Sequence, residues 1–342
     1  MRSVTLGSTG ITVLQNAFGA LPIQRISEEE AVALLRRAYD KGMRFFDTAR
    51  AYTDSEKKVG IAFRGMRDQV YIATKTGATT PEGFWKDLET SLEMLQTDYI
   101  DIYQFHMAKQ CYRTGDGTGM YECMLEAKAQ GKIRHIGITA HLLHVAQEIV
   151  ESGLYETLQF PLSYLSAEAD EALARRCAEK NMGFIMMKAL AGGLIRNAQA
   201  AMAYALQFDN AVPIWGVQRP EELEQWLAFM DEEPELTDEL RSFMEKEKKE
   251  LSGSFCRGCG YCLPACPQEI SINNCARMSL MLRRAPSAFW LSEPMQEKMK
   301  AIETCIGCRA CEAKCPYSLP IPELLKENYE DYKKVLAGER EV

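Results

Sequence analysis

The 342-residue sequence contains no apolar run near the ~20 residues that cross a bilayer, so no membrane-spanning helix is expected. It also lacks an excess of cations: 40 Lys and Arg against 48 Asp and Glu leave a net charge of -8, which argues against nucleic acid as a partner. The opening Met1-Arg2-Ser3-Val4-Thr5-Leu6-Gly7 has no apolar core followed by a small-residue cleavage site, and a cytoplasmic location is expected. Cysteine is scarce before residue 255, where only Cys111, Cys123 and Cys177 occur. These three and Cys275 read as small buried hydrophobes.

What is present fits a globular protein, with 46% hydrophobic and 26% charged residues. The length suits a large single-core domain with an appendage. The expected division is 1–232, then a charged helical linker over 233–252, then a cysteine-rich module over 253–342. The acidic run Asp231–Glu250 is read as a solvated surface.

From Val13 to Phe229 short β-rich runs alternate with helical stretches, the pattern of parallel βαβ units. Eight strands are expected, at Leu14–Gly19, Met43–Asp47, Val70–Thr74, Ile100–Phe105, Ile133–Thr139, Thr157–Phe160, Gly183–Met187 and Val212–Gly216. Eight parallel strands point to closure into a (β/α)8 TIM barrel. Ser27 with Glu30 forms a capping box for a helix whose Ala31, Leu34, Leu35 and Ala38 share one face, and Gly42 ends it. Residues 4–13 read as a hairpin with glycine-containing turns that closes the barrel's bottom.

Nine of the twelve cysteines follow residue 255. Eight of them form two C-x-x-C-x-x-C-x-x-x-C-P runs: Cys256, Cys259, Cys262 and Cys266, then Cys305, Cys308, Cys311 and Cys315. Zinc is the alternative occupant of C-x-x-C pairs, but a four-ligand ion does not need a three-cysteine run twice. The pair of runs resembles a bacterial dicluster ferredoxin, which implies two [4Fe–4S] clusters with crossed ligation. Cys256, Cys259, Cys262 and Cys315 would hold one cluster; Cys305, Cys308, Cys311 and Cys266 would hold the other. The longer insert between the runs carries Leu280, Met281, Leu282, Phe289, Trp290 and Leu291, expected to pack the module against the barrel.

Four residues fall at or just past the carboxyl ends of expected strands, where (β/α)8 barrels place their chemistry. They are Asp47 and Tyr52 in Phe45-Phe46-Asp47-Thr48-Ala49-Arg50-Ala51-Tyr52, Lys75 in Ile72-Ala73-Thr74-Lys75, and His106 in Asp101-Ile102-Tyr103-Gln104-Phe105-His106. Each alone has a packing or ion-pair reading. In this order they resemble the aldo-keto reductase tetrad.

That resemblance covers about residues 1–230. It implies a nicotinamide cofactor held across the barrel mouth without a G-x-G-x-x-G loop, and a small carbonyl or alcohol substrate. Tyr52 would be the general acid, Lys75 would lower its pKa, Asp47 would position Lys75, and His106 would orient the carbonyl. Cofactor contacts are expected from Gly19, Ala20, Asp47, Thr139, Gln159, Met187, Leu190, Gly216 and Arg219. Three positions depart from the family pattern. Thr139-Ala140 replace Ser-Asn, Met187 replaces an aromatic, and Glu222 stands near an expected phosphate-gripping Arg. NADP is slightly favoured over NAD, and the departures leave room for flavin, although no flavin fingerprint is visible. The clusters point to a ferredoxin- or flavodoxin-type electron carrier as partner. The competing accounts are a flavin- or cluster-driven reductase that does not use nicotinamide, and a non-catalytic redox-sensing or docking protein.

Overall fold

In the computed structural model, which describes residues 1–251, 256, 258–284 and 287–342, the chain divides into two units. One comprises Met1–Leu190 with Asn197–Thr237, the other Ala191–Arg196 with Asp238–Val342. The expected junction at 252/253 lies outside the described residues.

The first unit opens with a hairpin of β1 (Ser3–Thr5) and β2 (Thr12–Leu14), paired antiparallel. Eight parallel strands follow: β3 (Ala17–Gly19), β4 (Phe45–Asp47), β5 (Tyr71–Thr76), β6 (Ile100–Ala108), β7 (Ile133–Ala140), β8 (Thr157–Pro161), β9 (Gly183–Met187) and β10 (Ala211–Gly216). They close in the order β10-β3-β4-β5-β6-β7-β8-β9. The expected strand Leu14–Gly19 is two elements. Leu14 ends the hairpin and the barrel strand starts at Ala17; between them the Asn16 side chain donates to the Trp226 carbonyl at 2.8 Å.

Helices α1 (Glu28–Asp40), α2 (Ser55–Ala62), α3 (Pro81–Leu95), α4 (Met120–Ala129), α5 (Leu143–Ser152), α6 (Glu168–Glu179), α7 (Ala198–Ala205) and α8 (Pro220–Asp231) connect the strands. With helices outside and side chains inside, both strand faces are dry, so the strands read as continuous apolar runs. Ser27 caps α1 with Glu30 in a reciprocal box, and Ala31, Leu34, Leu35 and Ala38 are its buried face. Such a cap contributes about 1 kcal/mol.

Val4, Leu6, Ile11 and Val13 of the hairpin share one cluster with Ala17, Phe45, Ala73, Ile102, Ile185 and Val212, which sealed the barrel floor. The approach is close enough to require glycine: a Cβ on Gly7, which has φ +53, would stand 2.3 Å from the Gly183 nitrogen. The floor is therefore closed, and only the mouth at the strands' carboxyl ends is left for chemistry.

The second unit contains α9 (Asp238–Leu251), α10 (Ile272–Cys275), α11 (Met278–Arg284), α12 (Ser287–Trp290), α13 (Glu293–Lys300), α14 (Ala310–Ala313) and α15 (Ile321–Leu336). Its interior gathers Ile270, Ile272, Cys275, Met278, Leu282, Met295, Met299, Leu325 and Tyr332, with Trp290 and Leu291 packed against it. Leu282, Trp290 and Leu291 of the apolar insert thus belong to the module's own core, since so small a unit needs such side chains for itself. Phe289 alone of that group is largely exposed, at 60%. Arg283 clamps α11 to α15 through two bonds to Asp331, at 2.8 and 3.1 Å.

Candidate active site

Asp47 ends β4 and Lys75 is the penultimate residue of β5, so parallel pairing brings both side chains to the mouth. Lys75 Nζ donates to both carboxylate oxygens of Asp47, at 2.8 and 2.7 Å, and to the Thr48 carbonyl at 2.6 Å. The pair is almost wholly buried, at 2% and 1% exposure. Burial pushes the Asp47 carboxyl up and the Lys75 ammonium down, each against the attraction of the other.

The turn after β4 carries Tyr52 and is held on both flanks. The Tyr52 amide donates to the Ala49 carbonyl at 2.9 Å, the Arg50 amide to the Lys75 carbonyl at 3.1 Å, and the Ser55 amide to the Tyr52 carbonyl at 2.8 Å. Below it, the buried Glu56 accepts from Thr74 Oγ1 at 2.6 Å and from Arg50. Lys58 Nζ donates to the Ile23 and Ile26 carbonyls at 3.0 and 2.7 Å, tying α2 to the segment after β3.

Tyr52 and His106 are half-buried at the lip. Their rings meet edge-on, centroids 5.7 Å apart at 81°, and Lys75 Nζ lies 5.3 Å from the Tyr52 ring centre. Burial, then the nearby Lys75 charge, depress the His106 pKa to about 3, so the imidazole is neutral at ordinary pH. The sequence predicted that Lys75 would lower the Tyr52 pKa. Instead it is raised, by burial and then by the Asp47 charge. The Asp47 carboxylate, paired with the ammonium, acts on the phenol in the opposite sense to Lys75.

The remaining sequence-predicted residues line the same rim. Gly19 ends β3 beside Gly216 of β10, and a Cβ on Gly19 would meet the Trp215 carbonyl at 3.2 Å. The Ala20 amide donates to the Asp47 carbonyl at 2.8 Å. Gln159 of β8 is buried, accepts from Gln104 Nε2 at 2.9 Å, and with Gln104 hydrogen-bonds Asp47. Thr139 ends near the lip, but its hydroxyl already accepts the Met107 amide at 2.7 Å, where β6 turns through a left-handed residue at φ +54. Met187 closes β9, and Leu190 follows it, half-buried. Arg219 is exposed; its Nη2 bonds Glu222 at 3.1 Å, while the other Glu222 oxygen accepts the Gln218 amide at 2.9 Å.

In the second unit a cavity is lined by Cys266, Cys305, Cys308 and Cys311 together with Pro267, Ile270, Ile272, Ile306, Pro322 and Leu325. Four thiols from both runs around one apolar hollow suit a cubane bound by thiolates. Cys266 acts electrostatically on Cys311, and Cys315 on Cys259 and Cys262, so each run's last cysteine neighbours the other run. Among the described residues no three His, Cys, Asp or Glu side chains converge tightly enough for one metal ion.

The aldo/keto reductase family matches residues 15–200, more than half of the chain. The chain belongs to that family. A second match, over residues 255–320, is to a 4Fe-4S dicluster domain, so this aldo-keto reductase carries an iron–sulfur domain beside its barrel. It is 31% identical to L-galactose dehydrogenase of Arabidopsis thaliana, over 56% of this chain and 66% of that protein. With the aldo-keto reductase YhdN of Bacillus subtilis the figures are 28%, 57% and 64%. The chain thus spans just under two thirds of the length of these relatives. An aldo-keto reductase of Klebsiella pneumoniae, solved in complex with NADPH, superposes with a TM-score of 0.61 at 22% identity, over 72% of this chain and 95% of that one. The likeness extends to the eight-stranded barrel.

The four residues that the sequence placed at the mouth, Asp47, Tyr52, Lys75 and His106, come together there, but Gln104 was missed. The signal was there: Gln104 lies two residues before His106, and alternate strand residues share a face, so both point inward. Glu56 and Lys58 were missed for a different reason. They lie on a helix that reads as charged and exposed, and only the tertiary contacts bury them. No helix among the described residues is long and apolar enough to cross a membrane.

Proposed function

We propose that the barrel reduces a small carbonyl compound with NAD(P)H, or oxidises the corresponding alcohol, and that the iron–sulfur module exchanges electrons with a one-electron carrier of the ferredoxin or flavodoxin type. The observation that carries this reading is the pair of edge-on rings, Tyr52 and His106, standing over the buried Asp47–Lys75 ion pair.

A bound nicotinamide would supply or accept the hydride. The chain's own part is to manage the proton and the charge on oxygen. With its pKa raised, Tyr52 is a protonated phenol and can donate to a carbonyl oxygen as negative charge gathers there. Neutral His106 can give the same oxygen one N–H bond. When Tyr52 has given up its proton, Lys75 Nζ at 5.3 Å from the ring stabilises the phenolate, with Asp47 fixing the ammonium in place.

The rim supports NAD over NADP, against the slight preference drawn from the sequence. Glu222 already occupies both Arg219 and the Gln218 amide, the cation and donor that would otherwise grip a 2′-phosphate. The Klebsiella relative, by contrast, was solved with NADPH.

The eight run cysteines would hold the two clusters in crossed sets, Cys256, Cys259, Cys262 and Cys315 for one and Cys266, Cys305, Cys308 and Cys311 for the other. Clusters pass single electrons whereas nicotinamide passes hydride, so the two units serve separate half-reactions unless a flavin joins them. In the reading with a flavin, or with clusters reducing substrate directly, Thr139, whose hydroxyl accepts the Met107 amide, keeps its own O–H to donate to a bound group.

The test is Tyr52→Phe in the anaerobic holoprotein. Carbonyl reduction should be abolished with iron content unchanged. Undiminished turnover would sink the reading in favour of a flavin- or cluster-driven reduction, and no turnover in the parent would favour a docking or sensing role. Adding NAD or NADP to the reduced protein, and following cluster absorbance beside nicotinamide, distinguishes coupled from separate half-reactions.

A further inference from the structure

Gly258 lies inside the first cysteine run with φ +74, and a Cβ built on it would stand 2.8 Å from Arg277 Cζ and Nη1 and 3.0 Å from Nε. The guanidinium therefore rests directly on the backbone between Cys256 and Cys259, where any larger residue at 258 would displace it. Arg277 Nε donates to the Asn273 carbonyl at 3.0 Å, which fixes the side chain just beyond α10.

The charges that act on Arg277 are the Cys256 and Cys259 thiolates, and burial opposes them by pulling its pKa down. An arginine tolerates this and stays a cation, being weakly hydrated and intrinsically far above neutrality. Among the described residues no carboxylate is paired with it.

The second cysteine set has a different electrostatic setting. Arg309 borders its cavity, but Glu312 holds that guanidinium at 2.8 and 3.0 Å and Glu323 takes its other nitrogen. The rest of the wall is apolar but for the neutral Gln268, and Glu312 acts on Cys311 with a negative charge. Among the described residues one set faces a cation with no carboxylate partner and the other a cation held by two.

We infer that Arg277 sets the reduction potential of the cluster held by Cys256, Cys259, Cys262 and Cys315, holding it above the value that site would otherwise have. The inference rests on the cluster assignment proposed above. Reduction adds one negative charge to the cluster and its thiolates, and a fixed cation in a poorly solvated position favours the more negative state. Among the described residues lining the other cavity the cation, Arg309, is already paired with Glu312 and Glu323, so loss of the Arg277 charge bears on one potential.

The experiment is an anaerobic redox titration of the full-length holoprotein followed by electron paramagnetic resonance, on the parent, Arg277→Gln and Arg277→Lys. In Arg277→Gln one of the two midpoints should fall and the other stay in place. In Arg277→Lys, which keeps the charge, the same midpoint should move less. Unchanged midpoints in Arg277→Gln, or an equal shift in both variants, would overturn the inference. Loss of that cluster's iron from either variant would make Arg277 a folding contact and would overturn it as well. Failure of the cluster assignment itself would show separately, as an iron content and signal count in the parent that do not fit two cubanes.

Discussion

Lys75 Nζ reaches both oxygens of Asp47, at 2.8 and 2.7 Å, in a site almost closed to water. Removing one partner leaves a buried charge uncompensated, which costs about 3–5 kcal/mol, whereas removing both leaves only a packing defect. Lys75→Met and Asp47→Asn should each destabilise the barrel by about that amount, and the double variant by less than their sum. Urea unfolding of the set measures this. Additive losses would mean that the two residues do not form a pair in solution.

The two ring residues at the lip are both displaced from neutral pH, His106 downward to about 3 and Tyr52 upward. Carbonyl reduction should therefore show a flat kcat between about pH 5 and 9, where neither group titrates. A bell centred near neutrality would assign the proton to another group.

His106 also links pH to stability. Its folded pKa of about 3 lies below the ~6.5 of an unfolded chain, so on acidification the unfolded state binds the proton first. Stability from this group is fully present above about pH 6.5 and is lost as pH falls toward about 3. Replacing His106 by Asn should flatten the acid limb of a urea-midpoint series between pH 7 and pH 4. A series parallel to the parent's would show that the imidazole is not held neutral.

Glu222 engages Arg219 and the Gln218 amide together. In Glu222→Gln the carboxylate charge is gone and Arg219 is released, so kcat/KM with NADP relative to NAD should rise roughly ten-fold, the effect of about 1.4 kcal/mol. An unmoved ratio would place the dinucleotide's adenosine end elsewhere.

The proposed crossed ligation would make partners of distant cysteines. Cys315→Ser and Cys259→Ser should lose the same paramagnetic signal, and Cys266→Ser and Cys308→Ser the other. If Cys315→Ser matched Cys308→Ser instead, each run would hold its own cluster.

Much of this molecule is written in local pattern. Parallel strands covered on both faces must be apolar along their whole length, so all eight strands are legible, and Gly183–Met187 lies where periodicity alone puts it. The Ser27–Glu30 box marks the start of α1 for an equally local reason. The two cysteine runs specify their chemistry because a cubane needs thiolates at fixed short intervals. The tetrad's residue types and strand-end positions were legible on the same grounds.

What the sequence alone did not determine is how the charges of those groups are set. The Asp47–Lys75 pair was expected, but that burial and the Asp47 charge together leave the Tyr52 pKa raised depends on how closely the folded mouth encloses the ring. Whether Leu282 and Met295 face another domain or their own core depends on how α11, α13 and α15 pack. Arg277 is one of many arginines until the backbone of Gly258 closes on it. Local structure follows from residue type and spacing, which the chain carries with it; burial and through-space charge come from contacts between distant residues, which only the folded chain brings together.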